Sequence, residues 1–84
     1  MRDLTLEQKS LNVCRALRLE ANGRGLAWIG LDTVAYRLKV PTPQLGQPIY
    51  FAKMNGWVQT AGVPPHSVVL TPQGHLASRT GRAL

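Results

Sequence analysis

The 84-residue sequence contains a single cysteine and no stretch that resembles a membrane span or a signal peptide. The lone thiol of Cys14 excludes an internal disulfide, and its sequence neighbours do not resemble a metal site or the surroundings of a nucleophile. We therefore expect Cys14 to be a small buried apolar side chain. The missing apolar run predicts a cytoplasmic protein that has no membrane partner.

Patterns typical of enzymes and metal sites are also missing. The sequence has no paired carboxylates and no Ser/His/Asp or Cys/His set, and neither His66 nor His75 has a cysteine or carboxylate beside it. Gly23, Gly25 and Gly30 lack the preceding strand and the following lysine of a phosphate-binding loop. We expect no enzymatic activity, no cofactor, no metal and no small-molecule substrate.

Acidic residues are few and lie at one end of the chain. All four of them precede Thr33, whereas five basic residues and no acid follow from that position onward. The net charge is +6 and the sequence pI is about 10.5. Such an asymmetry favours a polyanionic partner such as nucleic acid.

The length and the 44% apolar content suit one small domain, which we expect to span residues 1–78, with 79–84 as a flexible tail. Thr5-Leu6-Glu7-Gln8 forms a capping box that predicts the start of a first helix. Asn22-Gly23 predicts its end, because both residues tolerate the left-handed conformation. Leu11 and Leu19 lie off the apolar stripe of this helix, so they are either partly buried under a loop or form a seam for a partner subunit.

The rest of the chain predicts short elements separated by proline and glycine. A strand over 27–29 is followed by a helix over about 33–39 with Asp32 as its N-cap. A third helix starts at Pro43, or at Pro48 with Gln47 as its cap, and ends at Asn55-Gly56. Strands over 57–61 and 68–70 and a helical turn from Thr71 complete an α+β fold in the order α-β-α-α-β-β plus a short C-terminal helical turn.

The stretch from Ala35 to Val58, AYRLKVPTPQLGQPIYFAKMNGWV, resembles the helix-turn-helix core of the winged-helix family. Ala35 is small where two helices would cross closely, Pro41 occupies the turn, and Gly56 precedes an apolar strand. The apolar positions of the pattern are filled by Leu38, Val40, Leu45, Ile49 and Ala52. The later Leu70-Thr71-Pro72-Gln73-Gly74 is similar to the end of the second wing strand in many bacterial members, so the resemblance covers roughly residues 5–78.

The resemblance implies a winged helix that binds double-stranded DNA with its third helix in the major groove. It implies a small prokaryotic, plasmid or phage transcriptional regulator, acting as a homodimer for which Leu11 and Leu19 are the expected contacts. Glutamines would contact bases, and basic or hydroxyl side chains would contact phosphates. The implied DNA-binding residues are Arg37, Lys39, Thr42, Pro43, Gln44, Gly46, Gln47, Tyr50, Lys53 and His66.

An alternative is a winged-helix module for protein–protein interaction. Related reading helices usually carry arginine where this one has Tyr50-Phe51, and the expected wing tip, Pro64-Pro65-His66-Ser67, has no lysine or arginine. Tyr50, Phe51 and Met54 would then contact a protein together with the proline-rich wing. The hypotheses differ in one feature. DNA binding needs Arg37, Lys39 and Lys53 on the same face as Tyr50, whereas protein binding needs a contiguous apolar patch there.

Overall fold

The computed structural model describes residues 5–21 and 27–80. Within these residues the chain forms an α+β fold of four α-helices, a 3₁₀ turn and a three-stranded antiparallel sheet, in the predicted order. None of the described helices is both long and apolar enough to cross a membrane. The elements are α1 (Leu6–Ala21), β1 (Ile29–Gly30), α2 (Leu31–Leu38), the 3₁₀ turn (Thr42–Leu45), α3 (Gly46–Met54), β2 (Val58–Ala61), β3 (Ser67–Leu70) and α4 (Pro72–Thr80).

The capping box at the start of α1 forms as predicted. The Gln8 backbone N–H donates to the Thr5 hydroxyl oxygen and the Thr5 N–H donates to Oε1 of Gln8, each at 3.1 Å. Two backbone donors that the helix itself leaves without partners are thereby satisfied. The predicted end of this helix at Asn22-Gly23 lies outside the described residues.

The core lies between α1, α2, α3 and one face of the sheet. The apolar positions of the 35–58 pattern behave as predicted at Ala35, Leu45, Ile49 and Ala52, which are all buried, whereas Leu38 and Val40 are half-buried against the core. In the sheet β3 is central, with Ile29 opposite Val68 and Val58 opposite Leu70. Gly56 has a φ of 75°, which favours glycine and lets the chain turn from α3 toward β2.

The start of α2 differs from the prediction. Gly30 is the N-cap and contributes no side-chain bond, so Asp32 is the second residue of the helix rather than its cap. The Asp32 carboxylate instead accepts a hydrogen bond of 3.2 Å from the hydroxyl of Thr42, at the start of the 3₁₀ turn. Gly30 occupies the cap position because it also pairs with Ser67 in the sheet, so the strand runs directly into the helix.

Neither predicted start of α3 is right. The residues from Thr42 form a 3₁₀ turn, and α3 begins at Gly46 with Leu45 as its N-cap, so Gln47 does not cap the helix. Pro48 is the third residue of α3, where a backbone N–H would lack an intrahelical partner in any case. Its carbonyl accepts a hydrogen bond of 2.8 Å from the fully buried hydroxyl of Ser10 in α1.

The helical turn predicted from Thr71 is a nine-residue helix, α4. Thr71 caps it by accepting a 3.0 Å hydrogen bond from the Gly74 N–H, while its own hydroxyl donates to the Gly56 carbonyl. Gly74 is buried directly against the backbone of Trp57. Arg79 and Thr80, which the sequence predicts to be part of the tail, belong to α4, and residues 81–84 lie outside the described residues.

The predicted subunit seam on α1 is wrong for one of its two residues. Leu11 is 4% exposed and therefore buried within the chain itself, whereas Leu19 is 55% exposed. The reason is that α1 packs against α2, α3 and α4, so little of its circumference faces solvent. The sequence indicated only a short turn where α4 lies.

Cys14 is fully buried, as predicted, and this burial raises the pKa of its thiol from 9.0 to about 12, although the charge of Arg15 opposes the shift. We expect a disulfide reagent at pH 8 to modify the folded protein at least ~100-fold more slowly than the denatured chain, because reaction requires opening and a thiolate. Absorbance of the released thiol measures the rate. Leu19→Cys in a Cys14→Ala background is the exposed control on the same helix, and equally fast labelling of both thiols would contradict the prediction.

The same shift predicts how the stability contributed by Cys14 depends on pH. Because the pKa is raised in the folded state, this contribution is fully present below pH 9 and is lost as the pH rises toward about 12. In that range the free energy of unfolding of the wild-type protein should fall relative to that of Cys14→Ala by at most about 1.4 kcal/mol per pH unit. Chemical denaturation at several pH values tests this.

Candidate nucleic-acid interface

The 3₁₀ turn and α3 present one continuous exposed surface. On their inner side Leu45, Ile49 and Ala52 are buried, which fixes the rotation of α3 about its own axis. The exposed residues on the outer side are here called the α3 face. They are Pro43, Gln44, Gly46, Gln47, Tyr50, Lys53 and Met54. Six of the ten residues predicted to bind DNA are therefore brought together on this surface.

The α3 face carries one charged side chain, Lys53. Lys53 also lines a shallow depression of about 500 Å³ whose other side chains are neutral, among them Gln59 and Thr60 of β2 and Gln73 of α4. The acid-free surface thus continues from α3 across β2 to the start of α4. These polar residues were not among those predicted from the sequence. The alternation of β2 would have indicated that Gln59 is exposed, but Gln73 needed the position of α4.

Three other predicted residues, from α2 and the turn after it, are arranged differently. Nε of Arg37 donates to Oε2 of Glu20 at 2.7 Å, and side chains of both are partly exposed. Arg37 and Lys39 line a second depression together with Glu20, and no residue of the α3 face contributes to it. The Thr42 hydroxyl donates its hydrogen to Asp32. The positive charge of Arg37 and the hydroxyl hydrogen of Thr42 are therefore engaged within the chain, and Lys39 is exposed at the end of α2.

His66 lies in the connection between β2 and β3. Its backbone N–H donates to the Ala61 carbonyl at 2.9 Å, and its carbonyl accepts from the Leu31 N–H at 3.0 Å, so it joins this connection to the start of α2. Its ring is exposed but packs against Gly62, whose φ of 99° and lack of a side chain allow the close approach. These contacts give His66 a structural part in the connection.

The aromatic pair Tyr50-Phe51 is divided between two sides of α3. The ring of Phe51 packs at 59° against that of Trp57, with 6.1 Å between the centroids. Tyr50 is 64% exposed, and Met54, one helical turn further on, is 67% exposed. The large exposed apolar side chains of the α3 face are therefore these two, with Lys53 between them along the chain.

Other kinds of site find little support within residues 5–21 and 27–80. No group of three or more His, Cys, Asp or Glu side chains there is close enough to hold a metal ion.

No protein-family model matches the chain, and no curated protein and no solved structure shows significant similarity to it. The function must therefore be inferred from the surfaces of the chain itself.

Proposed function

We propose that the protein binds double-stranded DNA through the α3 face, as a small winged-helix regulator of transcription. The observation that carries this proposal is that α3 has a buried apolar side and an exposed side without acidic residues. The exposed side presents Gln47 near the start of α3 and Lys53 near its end, and Gln44 of the 3₁₀ turn lies beside it. Nine helical residues extend about 13.5 Å. The diameter of the helix with its side chains, about 10–12 Å, fits a major groove that is about 12 Å wide.

Four residues of the α3 face have a chemical role in this proposal. Gln44 and Gln47 are three positions apart and exposed, and a glutamine amide can form two hydrogen bonds to the edge of adenine. Lys53 and the Tyr50 hydroxyl would contact phosphates, which positions the helix without reading sequence. In a winged helix the β2–β3 connection is the wing. Regulation would be steric, because a homodimer bound to a two-fold site would exclude other proteins from the operator.

Salt dependence of duplex binding tests the proposal. Each neutralised phosphate contributes about −0.9 to the slope of log K against log salt concentration. With Arg37 paired to Glu20, we expect Lys39 and Lys53 to neutralise one phosphate each, which predicts a slope of about −2 for a monomer and about −4 for a dimer. Titration of a fluorescent mixed-sequence duplex at several salt concentrations measures it. An absence of binding even at low salt would refute the proposal.

A second function is favoured by the exposure of Tyr50 and Met54 on successive turns of α3. Exposed aromatic and methionine side chains are typical of protein interfaces. In this alternative the two side chains form the centre of a contact with another protein, together with the fully exposed Val63 in the β2–β3 connection. Duplex binding should then be absent, and Tyr50→Ala should leave the stability of the isolated protein unchanged while abolishing capture of the partner.

A further inference from the structure

A concave space of about 540 Å³ lies between α1, the end of α2, the 3₁₀ turn and the start of α3. It exists because α2 ends at Leu38, the C-cap residue Lys39 has the left-handed conformation, and the chain then passes through Pro41 and the 3₁₀ turn before α3 begins. This detour leaves Leu38 and Val40 half-buried, with part of their surface facing the space. We call it the α1–α3 cavity.

The lining of the α1–α3 cavity is mostly apolar and contains no acidic residue. Six of its ten residues are apolar, including the half-buried Leu38 and Val40 and the buried Val13 and Leu45. Its polar residues are Lys9, Asn12, Gln44 and Gln47, and none of the ten is acidic. Small-molecule sites are typically concave spaces of about 300–1,000 Å³ with a mostly apolar lining and a few polar groups that converge on the ligand. The cavity meets the criteria of volume and of a mostly apolar lining, and it has four polar residues.

The polar residues indicate the charge of the ligand. Lys9 is exposed and is the one cation of the lining. Oδ1 of Asn12 accepts a 3.0 Å hydrogen bond from Nη1 of Arg15, and the NH₂ group of Asn12 remains a donor that can be offered to the cavity. A charged ammonium and amide donors beside an apolar surface are complementary to a carboxylate that carries an apolar body.

We propose that the α1–α3 cavity binds a small amphipathic carboxylate, with its apolar body against Leu38 and Val40 and its carboxylate group at Lys9. Gln44 and Gln47 belong both to this lining and to the α3 face. If the proposed DNA binding holds, the ligand and the duplex compete for these two side chains, and each lowers the affinity of the other by the same factor. Ligand binding itself does not depend on that proposed function.

The experiment uses octanoate and the DNA-free protein, so that failure of the cavity and failure of DNA binding remain distinguishable. We expect octanoate to bind with a Kd of about 1 mM or tighter. In NMR titrations the largest amide shifts should occur at residues of the cavity lining. Octylammonium should bind more weakly than octanoate, because the lining has a cation and no acid.

Two matched variants test the part played by charge. Lys9→Gln should weaken octanoate binding about fivefold and leave binding of neutral octanol unchanged, because only the charge-assisted contact is lost. Lys53→Gln makes the same change in net charge outside the cavity and should have no effect. The proposal is overturned if octanoate does not bind, if its shifts lie outside the lining, or if the two variants weaken binding equally.

Discussion

Gly74→Ala is expected to lower the free energy of unfolding by about 3 kcal/mol, which corresponds to a fall of about 15 °C in Tm for a domain of this size. A Cβ atom at position 74 would overlap with the carbonyl oxygen of Trp57 and lie 2.8 Å from its carbonyl carbon and from Cδ1 of Leu70. The two Trp57 atoms belong to backbone. The clash therefore cannot be relieved by rotating a side chain.

The position of Gly74 in α4 explains why the effect should be large. Trp57 leads into β2, and its carbonyl also accepts a 2.9 Å hydrogen bond from the Thr71 N–H. Gly74 in turn donates to the hydroxyl of Thr71 that caps α4. To make room for a methyl group, α4 would have to move away from Trp57, which would strain the cap and expose the buried Ser78 on the same side of the helix.

Gly46→Ala is the matched control, because Gly46 is also in a helix and a Cβ atom there would have no atom within 4 Å. Its right-handed helical conformation suits alanine, so the stability should be unchanged or higher by up to about 1 kcal/mol. Thermal and urea denaturation followed by circular dichroism compare the two variants. Equal stability of Gly74→Ala and Gly46→Ala would show that α4 does not pack against Trp57 as described.

Lys53→Glu is expected to weaken duplex binding at least about 30-fold and to make the salt slope shallower by about one unit per bound subunit. Lys53 is the sole charged residue of the α3 face, so the variant removes the expected phosphate contact and places an acid beside the duplex. The loss should be the same for all DNA sequences, because a phosphate contact does not read bases. Fluorescence anisotropy with two unrelated duplexes measures both quantities.

Arg79→Glu provides the control for net charge. Arg79 is exposed on α4 and is not part of the α3 face. Arg79→Glu changes the net charge of the protein by the same amount as Lys53→Glu. Its effect should be limited to a small uniform reduction in affinity. If the two variants weaken binding equally, the contact surface is not the α3 face, and binding reflects the overall positive charge.

Features that depend on neighbouring residues could be predicted from the sequence. The capping box of Thr5 and Gln8 requires residues three positions apart, and its two hydrogen bonds form as predicted. Gly56 has the positive φ expected of a glycine after a helix. The apolar spacing of Leu45, Ile49 and Ala52 predicted the buried side of α3, and therefore also the exposed side on which the candidate site lies.

The start of α3 could not be predicted, because the local rules conflict there. Proline favours the first turn of a helix, so Pro43 and Pro48 each predicted a start, and the structure uses Gly46 between them after a 3₁₀ turn. The turn is tied to α2 by the hydrogen bond from Thr42 to Asp32, and α3 is tied to α1 by the bond from Ser10 to the Pro48 carbonyl. These contacts join residues ten and thirty-eight positions apart, which no local pattern encodes.

The sequence by itself therefore determined the α+β class, the order of the elements, the uneven charge and the burial of Cys14, because these follow from composition, periodicity and turn chemistry. Only the tertiary structure decided that Glu20 pairs with Arg37, that Leu11 is buried, and that the α1–α3 cavity exists. Each of these depends on which segments meet in space. Packing of distant segments sets the partner of a charge and the exposure of a side chain, and the residues alone do not.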